Sequence, residues 1–147
     1  YTIKTVKDQK LIVGGFTLAI VEMEQKIPHL VMQLGMAIAK NRGKISGPLH
    51  FIFPETPEPD AKVIRIQMAF PVAKEPDVLG RYSVRENSGF KAATVIYSGD
   101  PNGALPTWVK LYEQVLKDGH SISGESRQVI LEANKKGVKM ELQLGIQ

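Results

Sequence analysis

The chain has 147 residues, about the length of one domain. Hydrophobic residues make up 43% and charged residues 23%, so a core can form without covalent staples, and the absence of cysteine removes disulfides, thiolate metal sites and cysteine nucleophiles. The net charge of +4 is scattered, with no basic helical stripe interleaved with aromatics, which argues against direct nucleic-acid binding.

No apolar run is long enough to span a bilayer, no signal peptide is visible, and the lack of cysteine fits a reducing, cytoplasmic setting. The chain begins at Tyr1 rather than Met, which leaves room for an upstream segment such as a DNA-binding domain.

In chain order, residues 10–13 are β-rich. A helix with Pro28 in its first turn is expected next, since proline there sacrifices no intrahelical bond. Its apolar stripe is Leu30, Leu34, Ala37 and Ile38, and Gly43 ends it. A second stripe of Met32, Gly35, Met36 and Ala39 makes this helix apolar nearly all round. Ligand contact or a homodimer would cover that stripe. Strands at 49–53 and 63–70 follow, joined by Pro54-Glu55-Thr56-Pro57-Glu58-Pro59-Asp60. After a linker at 74–80 the pattern returns. Residues 91–97 are β-rich, and a second helix carries Pro106 in its first turn. Its stripe is Trp108, Leu111, Tyr112, Val115 and Leu116, with a stop at Gly119. Strands at 127–132 and 138–146 close the chain around the turn Asn134-Lys135-Lys136-Gly137.

Self-similarity ties these elements together. Tyr1-Thr2-Ile3-Lys4 matches Tyr82-Ser83-Val84-Arg85, and Ile27-Pro28 matches Leu105-Pro106. Ile45-Ser46-Gly47 matches Ile122-Ser123-Gly124, and the segment starting at Gln67 matches that starting at Glu141. The chain therefore reads as a tandem βαββ repeat, with repeat 1 at 1–73 and repeat 2 at 81–147. An α+β domain follows, with an antiparallel sheet and two helices on one face.

Alternation assigns the faces. Val138, Met140, Leu142, Leu144 and Ile146 point to the helices; Lys139, Glu141, Gln143 and Gly145 point away. In repeat 1, Ile64, Ile66, Met68 and Phe70 oppose Arg65, Gln67 and Ala69. The second face is polar and, with no third layer in the sequence, is expected to be uncovered and concave, a place for a ligand groove. Glu141 is singled out as a mid-strand carboxylate that would hold a cation there, with burial raising its pKa. A solvated Glu, or an ion pair with Arg65 or Lys139, is the competing account. Trp108 and Tyr112 belong to a helix stripe and Phe51 and Phe53 to a strand face, so packing accounts for them; Tyr97 and Phe16 could flank the groove. His29, His50 and His120 are isolated and show no metal-ligand spacing, and no phosphate loop or nucleophile elbow occurs, so no metal or cofactor is expected.

The tandem unit, the aromatic helix before Ile122-Ser123-Gly124, the strand Arg127-Gln128-Val129-Ile130-Leu131-Glu132 and the closing Glu141-Leu142-Gln143-Leu144-Gly145-Ile146 resemble the gyrase-inhibitor-like effector-binding domain of multidrug-responsive transcription regulators. The resemblance implies a small-molecule sensor that takes hydrophobic, cationic aromatic compounds between the repeats. Glu141 would be the anchor, and Trp108 and Tyr112 would stack on the ligand. Gln67, Gln143, Arg65, Tyr97, Phe16, Met32 and Met36 are the other candidate contacts. Two departures stand out. Gly145 replaces a family proline that Pro71 keeps in repeat 1, and Phe53 and Ile130 stand where the family often has tyrosine. Some standalone relatives resemble hydrolases of strained, cyclopropane-type natural products, in which Glu141 would be catalytic. A protein-interaction module or dimer is a third reading.

Overall fold

The computed structural model describes residues 1–55, 60–86 and 89–147. Its strands are β1 (Thr2–Val6), β2 (Lys10–Ala19), β3 (Lys44–Ile45), β4 (His50–Phe53), β5 (Val63–Lys74), β6 (Ser83–Glu86), β7 (Phe90–Gly99), β8 (Ile122–Asn134) and β9 (Gly137–Ile146). Helix α1 (Ile20–Lys40) follows β2, and α2 (Leu105–Lys117) follows β7 after a 3-10 turn at Pro101–Gly103. They form a single antiparallel sheet ordered β1-β7-β9-β8-β4-β5-β2-β6, with β3 on β5. This is the α+β class that the alternation predicts. Residues 56–59 of the Pro-rich connection lie outside the described residues. Among the described residues, no helix is long and apolar enough to cross a membrane.

The internal repeat holds at the level of register. Gln67 pairs with Gly15 and Ile52, and Glu141 pairs with Ile96 and Val129 at the same points of the second half. Ile45 faces Val72 as Ile122 faces Ile146. Each half has a leading strand beyond the βαββ pattern, β1 and β6, the segments of the Tyr1 and Tyr82 match; repeat 1 also has the two-residue β3, where repeat 2 runs through β8 without a break. β1 and β6 are short and mostly solvent-exposed, so they lack the apolar alternation that marks strands in a sequence. They are also exchanged. β1 pairs with β7 of the other repeat, and β6 pairs with β2.

The exchange bends the sheet. β1 and β2 are six strand spacings apart, roughly 29 Å on a flat sheet. Only Lys7, Asp8 and Gln9 join them, a reach of at most about 14 Å. β6 and β7 are equally far apart in order and are joined by residues 87–89. Both constraints are met only if the sheet curls until its two edges approach. Arg85 on β6 therefore reaches Glu125 on β8, with Nη2 2.6 Å from Oε1, although three strands intervene in the sheet order.

The face expected to be uncovered is accordingly concave but largely buried. Leu11, Val13, Ile52 and Ala69 form an apolar cluster on it, joined by buried Ala92, Thr94, Arg127, Gln143 and His50. Among the described residues no third layer covers this face; the sheet covers its own. On the convex face α1 packs over Ile12, Leu18, Ile66, Met68 and Val72, and α2 over Ala93, Met140, Leu142, Leu144 and Ile146. Phe51 and Phe53 pack against the α1 cluster as core residues.

Helix α2 starts as expected, with Pro106 in its first turn, and ends at Gly119 (φ +87°). Helix α1 does not. It begins at Ile20, so Pro28 lies within it rather than in its first turn. The apolar stripe extends upstream through Met23 and Ile27, both packed on the core, and Lys26 pairs with Glu22 one turn back. That packing outweighs the bond Pro28 removes, and Pro28 itself is exposed. The second stripe of α1 stays uncovered within the chain: Met32 and Met36 are 53% and 61% exposed.

Candidate functional site

Two places collect chemistry-bearing side chains. The first is the concave interior on the repeat 2 side. Glu141 projects from β9 between Ile96 and Val129. The Lys4 ammonium, from β1, lies 2.8 Å from its Oε1 and 3.0 Å from its Oε2, while Gln143 Nε2 donates to Oε1 at 2.7 Å. Its cationic partner is thus Lys4, not Arg65 or Lys139. The carboxylate is 16% exposed and the lysine 46%. The counter-ion therefore comes from a half-exposed side chain on an edge strand. The pseudo-equivalent pair in repeat 1 is Arg85 with Gln67, where Nη1 donates to Oε1 at 3.2 Å. A carboxamide stands there in place of the carboxylate.

Beside Glu141 lies a buried ionic cluster that the sequence alone did not reveal. Arg127 is fully buried; its Nε and Nη2 donate to Glu125 Oε2 at 3.1 and 2.8 Å, and its guanidinium lies 4.7 Å from the centre of the Phe90 ring. Glu125 bridges Arg127 and Arg85, a charge-assisted arrangement that planar guanidinium groups suit. A bulge places it there. Between Ile122 and Ser126 the register shifts, with Gly124 at φ +56°. Gly145 lets the bulge approach, because a Cβ there would meet the carbonyl oxygens of Ser123 and Glu125 at 2.5 Å. That contact accounts for glycine where repeat 1 has Pro71.

His50, buried on β4, completes the cluster. Burial lowers its pKa to about 4, and the Arg127 charge adds to the effect. It is neutral at pH 7. Arg127 Nη1, Gln143 Oε1 and His50 Nδ1 are buried without a hydrogen-bond partner among the described residues. A buried polar group left unpaired costs about 1–3 kcal/mol, and among the described residues all such side-chain atoms belong to this cluster.

The second place is an open cleft of about 750 Å3 on the convex side, where the second and third turns of α1 pass β2. Phe16, Leu18 and Leu30 are apolar; Gln25, Lys26, His29 and Arg81 bring polar and cationic groups. Arg81 packs over Phe16 and Tyr82, its guanidinium 5.9 and 5.3 Å from the ring centres, and its Nη2 donates to Gln33 and Tyr82.

The sequence-predicted contacts divide between these faces. Glu141, Gln143 and Gln67 share the interior. Arg65 lies at its exposed end, 3.8 Å from Glu55. Trp108 and Tyr97 pack with α2 on the convex face, and Tyr97 donates to the Asp100 carbonyl at 2.6 Å. Tyr112 is an exposed α2 residue, Phe16 belongs to the cleft, and Met32 and Met36 lie in neither place. One ligand does not touch all ten. Lys4, Arg85, Glu125, Arg127 and His50 were missed. The one available signal was the repeat itself, which equates Lys4 with Arg85 and so marks a cation at the same point of both halves.

No protein-family model and no curated protein matches the sequence. Solved structures do match. The C-terminal domain of EcmrR superimposes with a TM-score of 0.82 at 15% identity, over 99% of this chain and 96% of that one. The chain has the gyrase-inhibitor-like fold. In the complex of EcmrR with DNA the TM-score is 0.84 at 12% identity, and the present chain spans 56% of that longer chain. SAV2435 bound to tetraphenylphosphonium matches this fold over 100% of the chain and 93% of its own, with a TM-score of 0.64 at 12% identity.

Proposed function

We propose that this domain binds a hydrophobic aromatic cation at Glu141, in the interior between the repeats, as a ligand sensor or sequestering module linked to transcription regulation. The observation that carries the reading is the Lys4–Glu141 pair. A largely buried carboxylate is already occupied by a cation, and that cation is a long side chain on an edge strand, free to swing out. The ligand's positive charge takes its place. Magnitudes favour the exchange. A partly exposed ion pair is worth about 1 kcal/mol or less. Burying roughly 200 Å2 of aromatic surface against walls such as Ile96 and Val129 contributes about 5 kcal/mol. Apolar burial supplies the affinity and Glu141 the charge selection. Support also comes from the fold shared with SAV2435, seen with a phosphonium cation bound, and with EcmrR, which occurs in complex with DNA.

The test is a calorimetric titration with tetraphenylphosphonium. Wild-type protein is expected to bind, Glu141→Gln to lose at least tenfold in affinity, and Lys4→Ala to gain several-fold because the internal competitor is gone. Absence of binding, or equal binding by wild type and Glu141→Gln, removes the reading.

A further inference from the structure

The two helices differ in one respect that the duplication does not require. The Ile27-Pro28 match places the start of α2 level with Ile27, so the stretch Ile20–Lys26 of α1 has no helical counterpart in repeat 2, where the 3-10 turn Pro101–Gly103 stands instead. From that stretch Gln25 and Lys26 line the open cleft, and His29 and Leu30 line it from the next turn. Lys26, His29 and Leu30 face Phe16 and Leu18 across it, and Arg81 closes one side. At the position equivalent to Phe16, Tyr97 bonds to the Asp100 carbonyl next to the 3-10 turn. One wall of the cleft, Gln25 and Lys26, is therefore particular to repeat 1.

The charge balance of the cleft differs from that of the interior, where Glu125 and Glu141 stand among Lys4, Arg85 and Arg127. Lys26 and Arg81 line the cleft and, among the described residues, no carboxylate does. Arg81 is held against Phe16 and Tyr82, and both of its hydrogen bonds leave through Nη2, although a guanidinium carries five donor hydrogens. Among the described residues Lys26 pairs only with Glu22, at 2.6 Å, with both side chains about half exposed, an i,i+4 contact that a stronger anion displaces at little cost. The cleft is open to solvent, so a ligand in it would be held from one side, by the apolar floor and the two cations.

We infer that this cleft is a second ligand site, selective for an aromatic monoanion, an arene bearing one carboxylate or sulfonate. The ring lies on Phe16, Leu18 and Leu30, and the acidic group meets Arg81 and Lys26. The two cations exclude the lipophilic cations proposed for Glu141, so the two sites accept ligands of opposite charge. This assignment does not depend on the Glu141 reading.

The experiment compares fluorescence titrations of 8-anilinonaphthalene-1-sulfonate with those of the neutral N-phenyl-1-naphthylamine. The expected result is a tenfold or greater loss of sulfonate affinity in Lys26→Gln/Arg81→Gln, with the neutral probe unchanged. Glu22→Gln frees Lys26 and is expected to tighten sulfonate binding several-fold, a gain that damage to the fold would not produce. Glu141→Gln is expected to leave sulfonate binding as in wild type, so a failure here and a failure of the phosphonium site are separate outcomes. Equal loss of both probes in the double variant, or no change in sulfonate affinity in either the double variant or Glu22→Gln, overturns the proposal.

Discussion

Leu11, Val13, Ile52 and Ala69 line the interior of repeat 1, whereas Ala92, Thr94, Val129 and Gln143 occupy the equivalent register positions of repeat 2. Arg127 stands where repeat 1 has His50, and Glu141 where it has Gln67. The same backbone thus closes over an apolar lining on one side and over a charged network on the other. The curl of the sheet does not need the charges, because repeat 1 manages without most of them. The polar groups of repeat 2 are costly to bury, and Glu125 offsets part of that cost by pairing with both Arg85 and Arg127.

The sharpest way to break this contrast is to remove Glu125. Arg127 would remain buried without a counter-charge, and Glu125→Ala is expected to cost about 3–5 kcal/mol. Gln67→Ala, on the repeat 1 side, should cost about 1 kcal/mol or less, the loss of one partly buried hydrogen bond. Urea midpoints measure both; similar losses would show that the two halves are energetically alike.

The next effect is one of pH. His50 titrates near 6.5 when unfolded and at about 4 when folded, so the unfolded chain binds the extra proton first. Its contribution is fully present above about pH 6.5 and is lost as pH falls through about 4, a change of roughly 3 kcal/mol. His50→Gln is expected to flatten that limb of the stability profile. An unchanged acid limb in the variant would place the titrating group elsewhere.

The smallest effect belongs to the strand exchange itself. Lys4→Ala should lower stability by less than about 1 kcal/mol, since the lysine is half exposed. A larger loss would mean that Lys4 is a structural strut rather than a displaceable counter-ion.

Much of this architecture was legible from periodicity. The two faces of β5 and β9, the whole of α2, the turn at Asn134-Lys135-Lys136-Gly137 and the order of the repeat follow from local patterns that packing reinforces. What was not legible is non-local. β1 and β6 are too short and exposed to announce themselves, and nothing in either segment says that its partner lies in the other repeat. The burial of Arg127 depends on a curl imposed by the short connections β1–β2 and β6–β7, and on a bulge set by Gly124 and Gly145. In the sequence, Arg127 looks like any strand arginine on a solvated face. Glu141 was legible as a carboxylate on the concave side; its lysine partner, 137 residues away, was not.

That reciprocal pairing also sets an order of assembly. Thr2 finds its partner at Thr94. During synthesis the first strand emerges early and waits unpaired until most of the second half has been made. Such distant contacts raise the entropic cost of the transition state and slow folding relative to a helical bundle of the same size. Each half takes its outermost strand from the other, so folding of the two halves is coupled. A nascent first half would expose the open edge of β2 and the unfinished interior, the surface on which a chaperone would act.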